Sequence, residues 1–166
     1  PLYSSAASDV YKRQAMSIAV KTGDGRIFVE AIDCRPQRAG NVWILDFLEK
    51  ADVDSVVVDG ASGQELLASD MKRRKLKAPK LPTVKEIIMS NSVFSQAVAM
   101  KTLCHMGQPS VVQIVSNCEK RAIGSNGGYG FKSILDGAKV ELMDSMILAH
   151  WLCGSKKEHK KQKISY

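Results

Sequence analysis

Asp54-Ser55-Val56-Val57-Val58-Asp59-Gly60 is the stretch around which the rest of the chain can be placed. Three consecutive β-branched valines between an Asp-Ser and an Asp-Gly pair read as a central strand buried on both faces, as in a mostly parallel sheet. Ligands of such sheets bind beyond the carboxyl ends of the strands, which is where Asp59 stands. A carboxylate at that point builds a metal or phosphoryl-transfer site. It also serves simply to cap an Asp-Gly turn through its side chain. The strand alone leaves both roles open.

Upstream, Ala15 to Thr22 reads as a short strand, Gly23-Asp24-Gly25 as a turn, and Arg26 to Cys34 as the partner strand, with Ile27, Val29 and Ala31 on one face. Asn41 to Ala51 comes next as a helix with Asn41 as its N-cap. Downstream, Gln64 to Lys75 is helical, and Pro79 and Pro82 flank an extended passage near Leu81 to Val84 that suits an edge strand. Glu86 to His105 carries a long helical pattern with an apolar stripe of Val93, Phe94, Ala97, Val98, Met100 and Leu103, stopped by Gly107 and Pro109. A short helix capped by Ser110 succeeds it. Asn126-Gly127-Gly128 between two extended stretches marks a hairpin. Lys139 to Cys153 is apolar over most of its circumference and should be a buried helix. The order is α/β with a mixed sheet. It falls short of a doubly wound fold, because too few strands are joined by helical crossovers.

The chain has 166 residues, 45% of them hydrophobic, enough for one domain with one core. Three segments are expected: 1–14, 15–154 and 155–166. The first resembles translated sequencing-adapter read-through, so native sequence is expected to begin near Ala15 or Met16. The last is a lysine-rich tail expected to be disordered. No apolar run approaches the roughly 20 residues that cross a bilayer, and no signal-peptide pattern opens the chain. Cys34, Cys104, Cys118 and Cys153 are far apart and include no CxxC pair, so neither a zinc site nor a disulfide framework is indicated. Reduced, mostly buried thiols in a cytoplasmic protein are expected.

The formal net charge is +7, which suggests an acidic partner. The tail from Ser155 carries Lys156, Lys157, Lys160, Lys161 and Lys163 against Glu158, and residues 1–14 carry Lys12 and Arg13 against Asp9, leaving the body of the chain only weakly basic. Within that body Lys72, Arg73, Arg74, Lys75, Lys77 and Lys80 form a dense basic run. It reads either as a solvated face at a helix C-terminus or as a phosphate-backbone contact.

On the terminal helix Glu141, Asp144, Ser145 and Leu148 share one stripe, the only acidic one on a nearly apolar cylinder. Asp144 either marks the solvent edge or lies against the sheet. In the second case it needs a cation, because an unpaired buried charge is too costly. A divalent ion shared with Asp59 would supply it, and oxygen-rich carboxylate sites suit Mg²⁺ or Mn²⁺. His105 and His159 have ordinary settings, and His150 lies on a different side of the helix from Asp144. Gly124 to Gly130 lacks the Lys-Ser/Thr of a phosphate-binding loop and reads as a hairpin tip.

Taken in order, Val56 to Gly60, His105-Met-Gly-Gln-Pro109 with Asn117 to Gly124, Gly127-Gly-Tyr-Gly-Phe131 and Glu141 to Ala149 resemble the C-terminal nuclease domain of tailed-phage terminase large subunits, over roughly Ala15 to Cys153. The resemblance implies a ribonuclease-H-like mixed sheet with flanking helices. It also implies an endodeoxyribonuclease that cuts concatemeric phage genomes by two-metal phosphodiester hydrolysis, with Mg²⁺ or Mn²⁺. By position, Asp59 and Asp144 correspond to two of the family's three metal-binding acidic positions. The third sits on a first strand expected before Ala15, where the adapter-like segment stands, so that strand is expected to be missing and activity impaired. Asp9 has no strand context, and Asp24 and Asp33 belong to the hairpin after that strand, so none is assigned a catalytic role. Lys120, Arg121 and Lys132 beside the Gly-Gly hairpin, with Arg73 and Arg74, are candidate DNA contacts. Implied partners are double-stranded phage DNA, portal protein, the small terminase subunit and an upstream ATPase domain, in the cytoplasm of an infected bacterium. Two other readings keep part of this picture: a non-catalytic DNA-binding or docking module, and another ribonuclease-H-like nuclease of resolvase or integrase type.

Overall fold

Alternating apolar residues fold the start of the chain into a hairpin. In a computed structural model that describes residues 13–60, 63–135 and 140–155, β1 (Arg13–Lys21) pairs antiparallel with β2 (Ile27–Pro36). The strand takes in Arg13 and Gln14, two residues ahead of the boundary read at Ala15, while residues 1–12, Lys139 and the tail beyond Ser155 lie outside the described residues. The turn closes through Thr22 N–H to Arg26 O at 2.9 Å, with Gly25 at φ +83°, a conformation glycine adopts without strain. Asp24 accepts from Arg26 Nε at 2.7 Å and holds the turn from within. Register shifts between Met16 and Ser17, where Asp33 and Ala31 are the successive partners and Ile32 is the extra residue. Such a bulge re-aims the side chains beyond it, so Ala31 and Cys34, three apart, both meet the same core.

Next come α1 (Val42–Lys50), α2 (Gln64–Arg73), α3 (Val84–Ala99), β3 (Leu103–Cys104), α4 (Pro109–Ser116), the hairpin β4 (Cys118–Ile123) and β5 (Gly128–Ser133), and α5 (Val140–Ser155). The result is a small mixed α/β fold: β3 runs parallel to Ile27–Phe28 on one edge of the β1–β2 pair, helices flank the sheet, and β4–β5 form a separate antiparallel pair.

Several local expectations change. The valine run forms a single parallel bridge, Val57 to Lys80, held by Val58 N–H to Lys80 O at 2.9 Å and Lys80 N–H to Val56 O at 2.8 Å. Val56, Val57 and Val58 are half-buried, where burial on both faces was expected. Pro79 and Pro82 bracket the partner and have no N–H with which to extend the ladder, and pairing falls on Lys80 where Leu81 to Val84 was expected. Asn41 occupies the N-cap position of α1, as expected, but its side chain makes no capping bond. Its Oδ1 accepts from Gln14 Nε2 and its Nδ2 donates to Asp70, both at 2.8 Å, tying β1, α1 and α2 together. Ser110 lies inside α4, whose first turn starts at Pro109, a residue suited to that position because its missing N–H would go unpaired anyway. α3 starts earlier than the pattern suggests, with a capping box between Thr83 and Glu86, and stops at Ala99. Lys101, at φ +57°, reverses the chain and sends Leu103–Cys104 into the sheet.

The main core lies between α5 and one face of the hairpin. Leu142, Met143, Met146 and Ile147 pack with Val29 and Ala31 of β2, Phe94 of α3, and Val111 and Ile114 of α4. α5 is apolar nearly all round and correspondingly buried, as expected. A second cluster of Ile44, Leu45, Leu67 and Met71 gathers Met16, Trp43, Val56 and Val58. Each valine buried there stabilises by roughly 1.5–3 kcal/mol at most, and together they seat the segment ending in Asp59. All four cysteines are half-buried, less enclosed than expected.

Candidate functional site

Asp59 and Asp144, 85 positions apart, line one small cavity with Arg121, Ser90, Asn91, Gly130 and an apolar wall of Ile87, Ile123, Ile147 and Leu148. Each side chain has a local reason to be there. The valine run delivers Asp59 to the rim, where it is exposed and where Gly60, at φ +127°, turns the chain away toward α2. On α5, Asp144 sits one turn after Glu141 and beside Ser145, whose Oγ donates to Leu142 O at 2.8 Å and meets Ser17 Oγ at 2.6 Å. Those bonds fix the rotation of α5 against β1. Asp144, half-buried, faces the cavity between α3 and the β4–β5 hairpin rather than the three-stranded sheet.

The β4–β5 hairpin closes the other side. Tyr129 Oη donates to Ser95 Oγ at 3.0 Å, and Ser95 Oγ donates to Asn91 O at 2.9 Å, pinning the hairpin to α3. Gly128 permits this approach, since a Cβ there would stand 2.5 Å from Ile88 Cδ1. Arg121 Nε donates to Phe131 O at 3.1 Å, which holds the guanidinium at the cavity.

The electrostatics are unbalanced. Burial pushes the Asp144 carboxyl up to about 6; Arg121 opposes that rise, and the charges of Asp59 and Glu141 add to it. Neither Asp59 nor Asp144 joins any ion pair among the described residues. The cavity volume is about 40 Å³, several times the ~10–15 Å³ that a single water needs. No group of three or more His, Cys, Asp or Glu positioned for a metal occurs among the described residues. Of the buried side-chain oxygens without a partner among the described residues, one belongs to a residue lining this cavity: Asn91, 3% exposed, has no hydrogen bond at Oδ1. Two carboxylates with a neutral oxygen make a hard, all-oxygen donor set that suits Mg²⁺ or Mn²⁺.

The chain matches no protein-family model, no curated protein and no solved structure. The residues must therefore speak for the site.

The remaining candidate DNA contacts divide by location. Lys120 and Lys132 lie on the hairpin near the cavity; Lys120 Nζ is 4.2 Å from the centre of the Tyr129 ring, and Lys132 pairs with Glu119 at 2.9 Å. Arg73 and Arg74 sit apart, at the end of α2, paired with Asp70 and with Asp46 and Glu49 respectively. Asp24 and Asp33 pair with Arg26 and Arg35, in line with a structural role. His105 Nδ1 accepts from Gly107 N–H at 3.0 Å. His150 is buried edge-on against Phe94, its imidazolium disfavoured by that burial, and does not line the cavity.

Ser90 and Asn91 escaped the sequence reading. The apolar stripe drawn on α3 includes Val93, Val98 and Met100, which are exposed, whereas the buried face runs through Ser90, Asn91, Phe94 and Ala97. A phase one step back, through Ile87, Ser90-Asn91, Phe94 and Ala97, exposes the signal: two polar residues on the inward side of a helix.

Proposed function

We propose that the cavity is a site for divalent-cation-dependent hydrolysis of DNA phosphodiesters, in a ribonuclease-H-like domain of the kind found in terminase large subunits. The observation that supports it most is the convergence of Asp59 and Asp144 in one cavity, with no salt bridge to either among the described residues. Asp59 and Asp144 would hold the ion. Bound there, Mg²⁺ or Mn²⁺ would supply Lewis-acid activation of the phosphodiester and of the attacking water. Arg121 reaches the same cavity and would take a non-bridging phosphate oxygen through its fork of donors. The apolar wall limits competing water. Lys120 and Lys132 extend positive charge along the hairpin for the flanking backbone.

Two carboxylates suffice for one ion, while the metal pair of the resembled family uses a third. With two acids lining the cavity among the described residues, weak cleavage by the 166-residue chain is the expected outcome. The partners implied are duplex phage DNA, portal protein, small terminase subunit and an ATPase domain, in the cytoplasm of an infected bacterium. Among the described residues no helix is long and apolar enough to cross a membrane.

The test is duplex cleavage by the 166-residue chain in Mn²⁺, alone and as Asp59→Asn and Asp144→Asn. Weak cleavage that either variant abolishes, with circular dichroism unchanged, supports the assignment; equal cleavage by all three ends it. Robust cleavage by the parent would overturn the expected impairment. The lack of a third clustered acid among the described residues favours one second reading, a non-catalytic DNA-docking module. Its outcome is retained duplex binding with no cleavage under any metal.

A further inference from the structure

Ser90 and Asn91 both line the cavity, and one carbonyl takes the Ser90 hydroxyl and one N–H of the Asn91 amide. Ile87 O accepts from Ser90 Oγ at 2.7 Å and from Asn91 Nδ2 at 2.8 Å. That arrangement fixes the amide: flipping it would set Oδ1 against a carbonyl oxygen. Asn91 Oδ1 is left buried and without a hydrogen bond, a costly state for a carbonyl oxygen inside a protein. The same cavity holds the Asp59 and Asp144 carboxylates, also acceptors, and Arg121 is the only cationic side chain lining it among the described residues. Four oxygen-bearing side chains facing a single guanidinium is an incomplete electrostatic arrangement. Tyr129 and Ser95 hold α3 and the hairpin together at this point, so the amide stays in place without a bond to its oxygen.

We infer that Asn91 Oδ1 is a third oxygen ligand for a divalent cation held between Asp59 and Asp144. The inference rests on the metal reading of this cavity and extends it to a neutral ligand on a third element, α3. A neutral amide oxygen is an ordinary partner for hard cations, and here it comes from a helix that carries neither carboxylate.

Mn²⁺ binding, followed by the electron paramagnetic resonance signal of the free ion, tests this on the full 166-residue chain without any appeal to turnover. The parent should bind Mn²⁺ and Asp144→Asn should lose it. Asn91→Ala should weaken binding about tenfold or more, comparable to the 10–100-fold losses seen even for outer-shell partners. Asn91→Asp should retain or tighten it. Asn91→Ser, whose hydroxyl can still donate to Ile87 O, repeats the truncation should the alanine variant fail to fold. Binding abolished by Asp144→Asn but unchanged in Asn91→Ala and Asn91→Ser would overturn the role of Asn91 and leave the metal site standing. A parent chain that binds no Mn²⁺ would overturn both.

Discussion

At the end of α2, Asp70 accepts from Asn41 and Arg73, and Arg74 reaches Asp46 at 2.7 Å and Glu49 at 3.3 Å, so each of these charges has an opposite neighbour. In the cavity under the β4–β5 hairpin, Asp59 and Asp144 face Arg121 with no ion pair formed among the described residues. Two aspartates of one molecule are thereby driven in opposite directions. The Asn41 amide, with Arg73 beside it, holds the Asp70 carboxyl below its usual range, whereas burial lifts that of Asp144 to about 6. The first arrangement completes itself and stabilises the junction of α1 and α2. The second leaves Asp144 to be relieved by a proton or by an added cation, an imbalance that is common at functional sites.

The largest expected effect comes from relieving Asp144. Its folded pKa of about 6 lies above the ordinary aspartate value of 3.8. The favourable contribution of its neutral form is thus complete below about pH 4 and is lost as pH rises through about 6. At ~1.4 kcal/mol per pH unit between the two values, the ionised form costs the fold on the order of 3 kcal/mol at pH 8. Urea unfolding in EDTA should show Asp144→Asn more stable than the parent by about 2–3 kcal/mol at pH 8 and nearly equal at pH 4. Asp70 has the opposite sign, contributing above its unfolded value and losing that contribution as pH falls. A parent chain no less stable at pH 8 than at pH 5 would break the contrast between the two aspartates.

A smaller effect should come from Arg121→Gln, which removes the one cation lining the cavity among the described residues. Without it the ionised Asp144 is costlier, and stability at pH 8 should fall by about 1 kcal/mol in the parent background. In the Asp144→Asn background the same change should do almost nothing, a coupling that a double-mutant cycle reads directly. Mn²⁺ affinity should rise in Arg121→Gln, because a competing positive charge is gone. Independent, additive effects would show that Arg121 belongs to the hairpin alone.

Asp59 and Asp144 stood out in the sequence because one ends a valine run and the other lies on the acidic stripe of an otherwise apolar helix, and both line one cavity. The hairpins were legible from their glycine turns. The valine strand was over-read, since three β-branched residues announce an extended conformation and say nothing about how many partners lie beside it; here the partner is Lys80 between two prolines. β3 was invisible because Leu103 continues the stripe drawn for α3, and only the left-handed backbone at Lys101 diverts it. Asn41 reads as a cap by local preference, but tertiary bonds to Gln14 and Asp70 claimed both ends of its amide. Asn91 was missed for a related reason. A buried amide has no sequence signature except the helical phase it shares with Phe94 and Ala97, and the apolar stripe through those two starts at Val93 and does not reach back to Ser90 and Asn91.

The smallest effect is expected at the paired end of the comparison, and it decides what the basic run is for. Arg73→Ala with Arg74→Ala removes ion pairs that are mostly exposed, worth ~0–1 kcal/mol each and weaker in salt. Stability should fall by no more than about 1 kcal/mol, and Mn²⁺ binding should not move. Duplex binding is the informative measurement. An arginine that contacts a phosphate contributes about 0.9 to the slope of log K against log salt, so loss of two such contacts lowers the slope by roughly 2. To make those contacts Arg73 would have to leave Asp70, and Arg74 would have to leave Asp46 and Glu49, which sets an internal charge cost against each phosphate. Lys120→Ala and Lys132→Ala, on the hairpin beside the unbalanced cavity, meet less of that competition, since of the two only Lys132 is ion-paired among the described residues. A slope that changes with the hairpin lysines and not with the α2 arginines would place the DNA path along the cavity; the reverse would move it to the end of α2.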